Sequence, residues 1–382
     1  MPFYQLREDV IPLLLALASP MEPEELIRSV AQSSGLPEAV LRERFAAIRE
    51  SGILSASQEV SEQASVLFLD FATLGSQRNM LRDRARNDAF LRAIRKVVQP
   101  GDTVVDVGTG TGLLAMAAAA SGAERVFAIE RSAIVHTARS LIEANGLADR
   151  IELFHGDAAD FSADIQADVI VSEWIGHFLI VENMYPAFSA VRDRVLKPGG
   201  RTIPSAGRLF LAPIEDSALY QYEGPGFWEQ PIGGFDYSQV KAQELGNLKM
   251  RIDRVRRESY LTEPVLLRHI DCTKESVGSF YFESSVEFRM DRDAVVHGLA
   301  GHFELELAPG EVLDTSPFSI HTHWHQTWFP IDALPVKRGD TLQVTFSSSP
   351  GSHVPSMNLS VRRLSTEGEG PTRSYAYGTG LL

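Results

Sequence analysis

Thr103 to Gly112 reads TVVDVGTGTG, and the apolar run Leu113 to Ala120 follows directly. A buried strand, a turn rich in glycine and the start of a helix leave few folds open. The glycines let the backbone approach a ligand where a side chain would obstruct it. Further apolar runs at Val126–Ile129, Ile151–Phe154 and Ala167–Val171 alternate with helical stretches. A helix through Leu196 and a turn at Lys197, Pro198, Gly199 and Gly200 complete the series. Strands and helices that alternate over 101–200 predict one doubly wound parallel sheet, an α/β fold. Such sheets bind ligands beyond the carboxyl ends of their strands.

The turn also selects the ligand class. A dinucleotide fingerprint would need glycine where Leu113 stands, and no phosphate-binding lysine follows as in a P-loop. Glu130 lies near the end of the next strand, at the spacing where an acidic residue meets a ribose. A nucleoside without phosphates fits best, which points to S-adenosylmethionine. Its carboxylate needs a cation, and its adenine needs an apolar slot with a polar edge. Gly156, Asp157 and Ala158 end the third strand where that adenine would lie, although Asp157 reads equally well as the cap of a turn.

After the fourth strand come Ser172, Glu173, Trp174, Ile175, Gly176, His177, Phe178, Leu179, Ile180, Val181 and Glu182. Both glutamates therefore sit on a loop at a strand's carboxyl end. The residues between them would form an apolar wall around two carboxylates. Like charges in one dry pocket raise a pKa, and a planar guanidinium, paired in bidentate fashion, relieves both. Two loop glutamates taken alone are more often solvated; the neighbouring motifs favour a site. The helical stretch Phe68 to Val98 carries Met80, Asp83 and Arg86 in a run of charge that, out of context, is a solvated face.

Residues 1–60 read as a small helical unit resembling a winged helix: Val10 to Leu17, then Leu26, Ile27 and Val30, then Leu41, Phe45 and Ile48, stopped by Gly52. A packing or dimerisation domain is an equal reading. Residues 55–66 are polar and read as a linker. The nucleoside-binding domain is expected over 61–203. From 204 to 382 alternating runs such as Ser279–Phe288, Leu299–Leu307 and Thr341–Ser347 predict a β-rich, barrel-like domain. Its insertion Tyr220–Tyr237 is rich in glycine, proline and aromatics. The tail from Ser365 has the composition of a flexible terminus.

The formal charge of −14 argues against nucleic acid and favours cationic partners. Cys272 is the sole cysteine, which excludes an internal disulfide and a multi-cysteine zinc site, and no metal site is expected. Val10 to Ala18 is too short to span a bilayer, so a cytoplasmic protein without a membrane partner is expected.

The assembled motifs resemble the protein arginine N-methyltransferases, from about Phe68 to about Arg363. The glycine turn, Glu130, the two glutamates at their family spacing and Thr322, His323, Trp324 occur in the family's order. The resemblance implies S-adenosylmethionine-dependent methylation of arginine. In it, Arg86 holds the methionine carboxylate and Glu130 the ribose. Gly108, Gly110 and Gly112 form the turn, with Asp106, Asp157, Ala158 and Met80 completing the cofactor site. Glu173 and Glu182 grip the guanidinium. His323 stands beside them, paired with Asp83, and His323 or a glutamate accepts the proton. Trp324 walls the pocket, and Met184, His177 and Phe71 line its acceptor side.

Met80, Met184 and Trp324 match members that make asymmetric dimethylarginine. Residues 217–240 match the family's dimerisation arm, implying a homodimer. The chain departs from the family at Phe68 and Phe71, which replace tyrosines, at His177 for tyrosine, at Ala159 for glutamate and at Gln77 for histidine. These changes alter the acceptor rim. Peptide or protein arginine is therefore the expected substrate, with a small guanidino compound, or a silent binding scaffold, as alternatives.

Overall fold

Short apolar runs that end in turns cannot bury both faces alone; here they pair in parallel and are covered by helices. The computed structural model describes residues 23–34, 36–50, 72–161, 164–182, 184–351, 354–366 and 368–379. The chain divides into two units, Met1–Phe71 and Ala72–Leu382. In the first, α1 (Pro23–Ser34) and α2 (Glu38–Glu50) bury Leu26, Ile27, Val30 and Leu41 between them. The expected helix at Val10–Leu17, the Gly52 stop and the linker at 55–66 lie outside the described residues.

In the second unit, α3 (Leu74–Arg82) and α4 (Arg84–Val97) precede the first sheet. They are separated at Asp83, whose side chain accepts the Arg86 N–H and so caps α4. The sheet runs through β1 (Thr103–Val107), α5 (Leu113–Ala120), β2 (Arg125–Glu130), α6 (Val135–Ala144), β3 (Ile151–His155), β4 (Ala167–Val171), α7 (Tyr185–Val195) and β5 (Leu196–Ile203). Its five strands are all parallel, in the order β3-β2-β1-β4-β5. The switch of direction falls between β1 and β4, beside the glycine turn and the first glutamate. The turn expected at 197–200 is absorbed as a shift of register within β5.

The second sheet starts with β6 (Ala206–Ile214). An insertion follows, with α8 (Ser217–Glu223), a single-turn helix at Pro225–Glu229 and α9 (Ser238–Leu245). The remaining strands are β7 (Leu248–Asp253), β8 (Val265–Asp271), β9 (Glu283–Arg289), β10 (Ala294–Ala308), β11 (Glu311–Asp314), β12 (Gln326–Val336), β13 (Thr341–Ser349), β14 (Ser356–Ser365), β15 (Gly368–Glu369) and β16 (Arg373–Thr379). The main path is β8-β6-β10-β12-β7-β16-β14-β13-β9. It curls until its end strands β8 and β9 approach each other, which gives the expected barrel-like form.

Two expectations are corrected. The strand expected at Ser279–Phe288 begins only at Glu283, because Val277–Phe280 forms a helical turn that sends Phe280 inward onto Trp174 and Tyr185. The tail is not a loose terminus. β16 pairs antiparallel with β14 and parallel with β7. Tyr375 and Tyr377 alternate into the core, and the Tyr377 hydroxyl donates to the Pro330 carbonyl at 2.7 Å. Glycine, serine and arginine around those tyrosines hide a period-two pattern.

One apolar core runs through both sheets. The loop between the glutamates supplies much of the join. Phe178 meets Phe329 and Phe346 of the second sheet edge to face, with ring centroids 5.2 and 5.5 Å apart. Gly301 on β10 makes room for that ring, since a Cβ there would stand 2.3 Å from it. The Phe178 ring is hemmed in and has nowhere to go. Gly301→Ala should therefore destabilise the protein by about 1–3 kcal/mol. Urea denaturation followed by tryptophan fluorescence would show it; an unchanged midpoint would mean that the loop yields.

Candidate active site

Four segments converge on one place: the α3–α4 junction, the glycine turn after β1, the loop after β4 and the segment before β12. Arg86 is nearly buried, and its Nε and Nη2 both donate to Glu173 Oε2, at 3.1 and 2.5 Å. The other oxygen of Glu173 accepts the Ile175 N–H at 3.2 Å. Both oxygens of Glu173 therefore have partners. The carboxyl of Glu182 has no hydrogen bond among the described residues. Burial, with the charge of Glu173 added, pushes it up to about 8 from an ordinary 4.5. The two glutamates thus differ, one paired with Arg86, the other protonated at neutral pH and without a hydrogen bond among the described residues.

Asp83 ties two of the segments together. Its Oδ1 caps α4 at 3.0 Å, while Oδ2 accepts the His323 backbone N–H at 2.8 Å and stands 2.7 Å from His323 Nδ1. Burial raises the Asp83 carboxyl, but the bonds from His323 and Arg86 outweigh it and hold the group below its usual range. The pairing expected for His323 is present.

The residues between the glutamates do not wall the pocket as expected. Trp174, Ile175, Phe178, Leu179, Ile180 and Val181 are all buried in the core, because a loop pressed between two sheets gains more by filling apolar space than by facing a carboxylate. Trp324 is likewise only 2% exposed; its Nε1 donates to the Ile175 carbonyl at 3.0 Å, and its ring meets Phe303. His177 lies deep, with Nδ1 3.2 Å from the Trp324 carbonyl, and burial lowers it to about 4, so it is neutral. In this geometry Trp324 and His177 lock the glutamate loop from behind rather than face the pocket. Phe71, placed on the acceptor side in the sequence reading, lies outside the described residues.

The nucleoside side is formed at the first three strand ends. Gly108, Gly110 and Gly112 have φ of 77°, 57° and 85°, conformations that favour glycine. Glu130 accepts the Gly110 N–H at 3.0 Å and the Ser132 N–H at 2.8 Å. Asp106 is wholly buried; one oxygen accepts the Thr109 hydroxyl at 2.6 Å and the other has no partner among the described residues. Burial pushes Asp106 up to about 7. Asp157 caps the turn Ala158–Asp160, the second of its two sequence readings, while keeping its place at the end of β3.

Met80 offers its carbonyl to Arg86 at 3.5 Å, and Met184 packs beside the glycine turn, its methyl carbon 3.9 Å from where a Gly108 Cβ would be. Gln77, noted in the sequence only as a departure, is buried over the turn, with Oε1 3.0 Å from a Cβ built at Gly110. Gln77 would have been hard to find, since nothing in one sequence tells a buried glutamine from a surface one. No metal-binding group of three or more histidine, cysteine or acidic residues occurs among the described residues.

Two family comparisons divide the chain as its sheets do. Residues 88–207 match the ribosomal protein L11 methyltransferase family, and residues 205–361 match the arginine methyltransferase oligomerization subdomain. The probable protein arginine N-methyltransferase 6.1 of Oryza sativa subsp. japonica is 32% identical over 333 residues, covering 77% of this chain and 83% of that one. Protein arginine N-methyltransferase 1 of Schizosaccharomyces pombe is 33% identical over 295 residues, covering 75% and 86%. Among solved structures, the Trypanosoma brucei PRMT1 enzyme–prozyme heterotetrameric complex with AdoHcy superposes with a TM-score of 0.74 at 26% identity, over 81% of this chain and all of that one. Arabidopsis thaliana protein arginine methyltransferase 10, in an open conformation, gives 0.71 at 27% over 81% and 99%.

The raised carboxyl makes a prediction about stability. Between about pH 4.5 and 8 the folded chain keeps a proton on Glu182 that the unfolded chain has lost, so stability falls as pH rises through that window. Glutamine cannot titrate. Glu182→Gln should match the parent near pH 4.5 and exceed it above pH 8 by on the order of a few kcal/mol. Melts across that range, without ligand, decide it; parallel curves would mean that Glu182 ionises normally.

Proposed function

The chain belongs to the protein arginine N-methyltransferase family, and on that premise we propose that it methylates a guanidino nitrogen of arginine in a protein, using S-adenosylmethionine. The observation that carries this reading is the pair of loop glutamates, one satisfied by Arg86 and the other half-buried, unpartnered and open to a cation.

The residues present fit the cofactor. The glycine turn provides close backbone approach, Glu130 stands at the second strand end for a ribose, and Arg86 is a buried cation beside them. Gly108, Gly110 and Gly112 would cradle the methionine portion, Glu130 the ribose hydroxyls, and Asp157 and Ala158 the adenine edge; Arg86, expected from the sequence to hold the carboxylate, is paired with Glu173 here and would take that role only by giving up part of this pair. When bound, S-adenosylmethionine supplies a methyl group on a positively charged sulfur, already activated for attack.

The protein's own residues do the rest. A guanidinium, with a pKa above about 12, is a poor nucleophile until its charge is drawn away from the attacking nitrogen. Glu182, once ionised, binds that charge; Glu173, held by Arg86, fixes the second edge of the plane. Ionisation is the step that the raised pKa opposes and an arriving guanidinium reverses. Glu182 and His323 are the two groups at hand to accept the proton, and His323 Nδ1 stands against Asp83. Asp83 and His323 orient the site, and positioning of the guanidinium supplies much of the rate.

We propose asymmetric dimethylarginine as the product, on the family match of Met80, Met184 and Trp324. We also propose a homodimer built through α8, α9 and the turn between them. Their inner residues, such as Tyr220, are buried, while Tyr222 and Phe235 are 79% and 71% exposed. The match to an oligomerization subdomain supports this surface as the contact.

The test is mass spectrometry after incubation with labelled S-adenosylmethionine and protein or peptide acceptors. Label should appear on arginine, fragment as the asymmetric isomer and fall about 100-fold or more in Glu182→Gln. The parent's kcat/KM should climb with pH toward about 8 as Glu182 ionises. Cofactor binding without transfer to any arginine would sink the reading. Tyr222→Asp with Phe235→Asp should turn the dimer into a monomer by light scattering; an unchanged mass would place the interface elsewhere.

A further inference from the structure

The formal charge of the chain is −14, yet the segments around Asp83 and beside His323 carry several arginines. Arg78 and Arg82 are exposed on α3, and Arg84 opens α4. Arg82 and Arg84 are exposed on either side of the buried Asp83, whose carboxylate holds His323. Across His323, Arg254 Nε donates to His321 Nε2 at 2.9 Å, and the His321 ring lies 4.5 Å from that of His325. Arg257 donates to the Pro317 carbonyl at 2.6 Å and lies over the Phe318 ring.

None of these five arginines forms an ion pair with a carboxylate among the described residues. Other arginines near them are neutralised: Arg256 by Asp216 at 3.1 Å and Arg86 by Glu173. The acidic groups on the same segments are few. Asp88 lies further along α4, Asp253 accepts the Arg254 backbone N–H at 2.6 Å, and Glu258 is exposed one residue past Arg257. Two glutamates at the site with unpaired arginines on the segments that carry Asp83 and adjoin His323 are a charge pattern suited to one cation surrounded by anions.

Resting on the methyltransferase reading above, we propose that the acceptor arginine lies in an acidic segment, with aspartate or glutamate within about four residues on either side. Four extended residues reach about 14 Å, which sets the range over which flanking acidic residues can act. An Arg/Gly-rich segment would bring further guanidinium groups against those arginines. His321 and His325, both lowered by burial and by neighbouring positive groups, add little charge at neutral pH. The arginines therefore carry the selection.

The experiment uses the full chain and three peptides of equal length, each with one arginine, flanked by Asp/Glu, by Ser/Ala or by Gly/Lys. Methylation kinetics and direct binding by fluorescence anisotropy are measured separately. At about 0.1 M salt kcat/KM for the acidic peptide should exceed that for the basic one by about tenfold, through KM, and the gap should shrink at high salt. Arg82→Glu with Arg84→Glu and Arg254→Glu should invert the order while S-adenosylhomocysteine still binds. Arg254→Gln alone, a milder change, should narrow the gap about threefold.

Equal or better use of the Gly/Lys peptide would overturn the proposal, as would a preference that survives the triple reversal. Single-stranded RNA that displaces the acidic peptide and loses affinity in the same variant would reassign these arginines to nucleic acid and overturn it too. Acidic peptide that binds selectively but is never methylated would leave this inference standing and remove the activity.

Discussion

Everything at this site depends on a short loop being buried where it would be expected to face a ligand. Trp174 to Val181 connects two carboxylates and fills the space between two sheets, and only its glutamates turn away from the core. Phe178 and Leu179 take left-handed backbone at φ 47° and 63° to do so. That costs about 1–2 kcal/mol per residue, which full burial of side chains this size, worth about 1.5–3 kcal/mol each, can offset. Packing holds the loop in a conformation that local preference opposes, and the positions of both carboxylates follow.

The electrostatics depend on that rigidity. Two carboxylates in one low-dielectric pocket would normally relax apart or share a proton. Arg86 removes the freedom to do either by committing both Nε and Nη2 to one oxygen of Glu173. The repulsion then falls on Glu182 alone. Asp83 secures the arrangement from the other side, since the carboxylate that caps α4, and so places Arg86, also holds His323. One buried acid therefore sets the positions of a nearby cation and of an imidazole 240 residues away from it in the chain.

Legibility in the sequence followed the range of the interaction. The glycine turn, Glu130 at the end of β2 and the glutamates after β4 could all be read, because strand ends and tight turns are set by neighbours in the chain. The inward orientation of Trp174 and Phe178 could not, since an apolar residue beside a charge looks the same whether it lines a pocket or a core. β16 was missed for a related reason: its tyrosines acquire a buried face only when β14 and β7 are already in place.

By itself, the sequence determined the parallel sheet, the nucleoside-binding turn and the identity of the site's charged groups, because backbone sterics and the period of apolar residues act over a few residues. Only the tertiary structure decided which glutamate is paired and which is open, that Trp324 and His177 brace the loop from behind, and which arginines are left without a carboxylate partner among the described residues. Each of those depends on desolvation and on charge across space, and neither is defined until distant segments have closed around the group concerned.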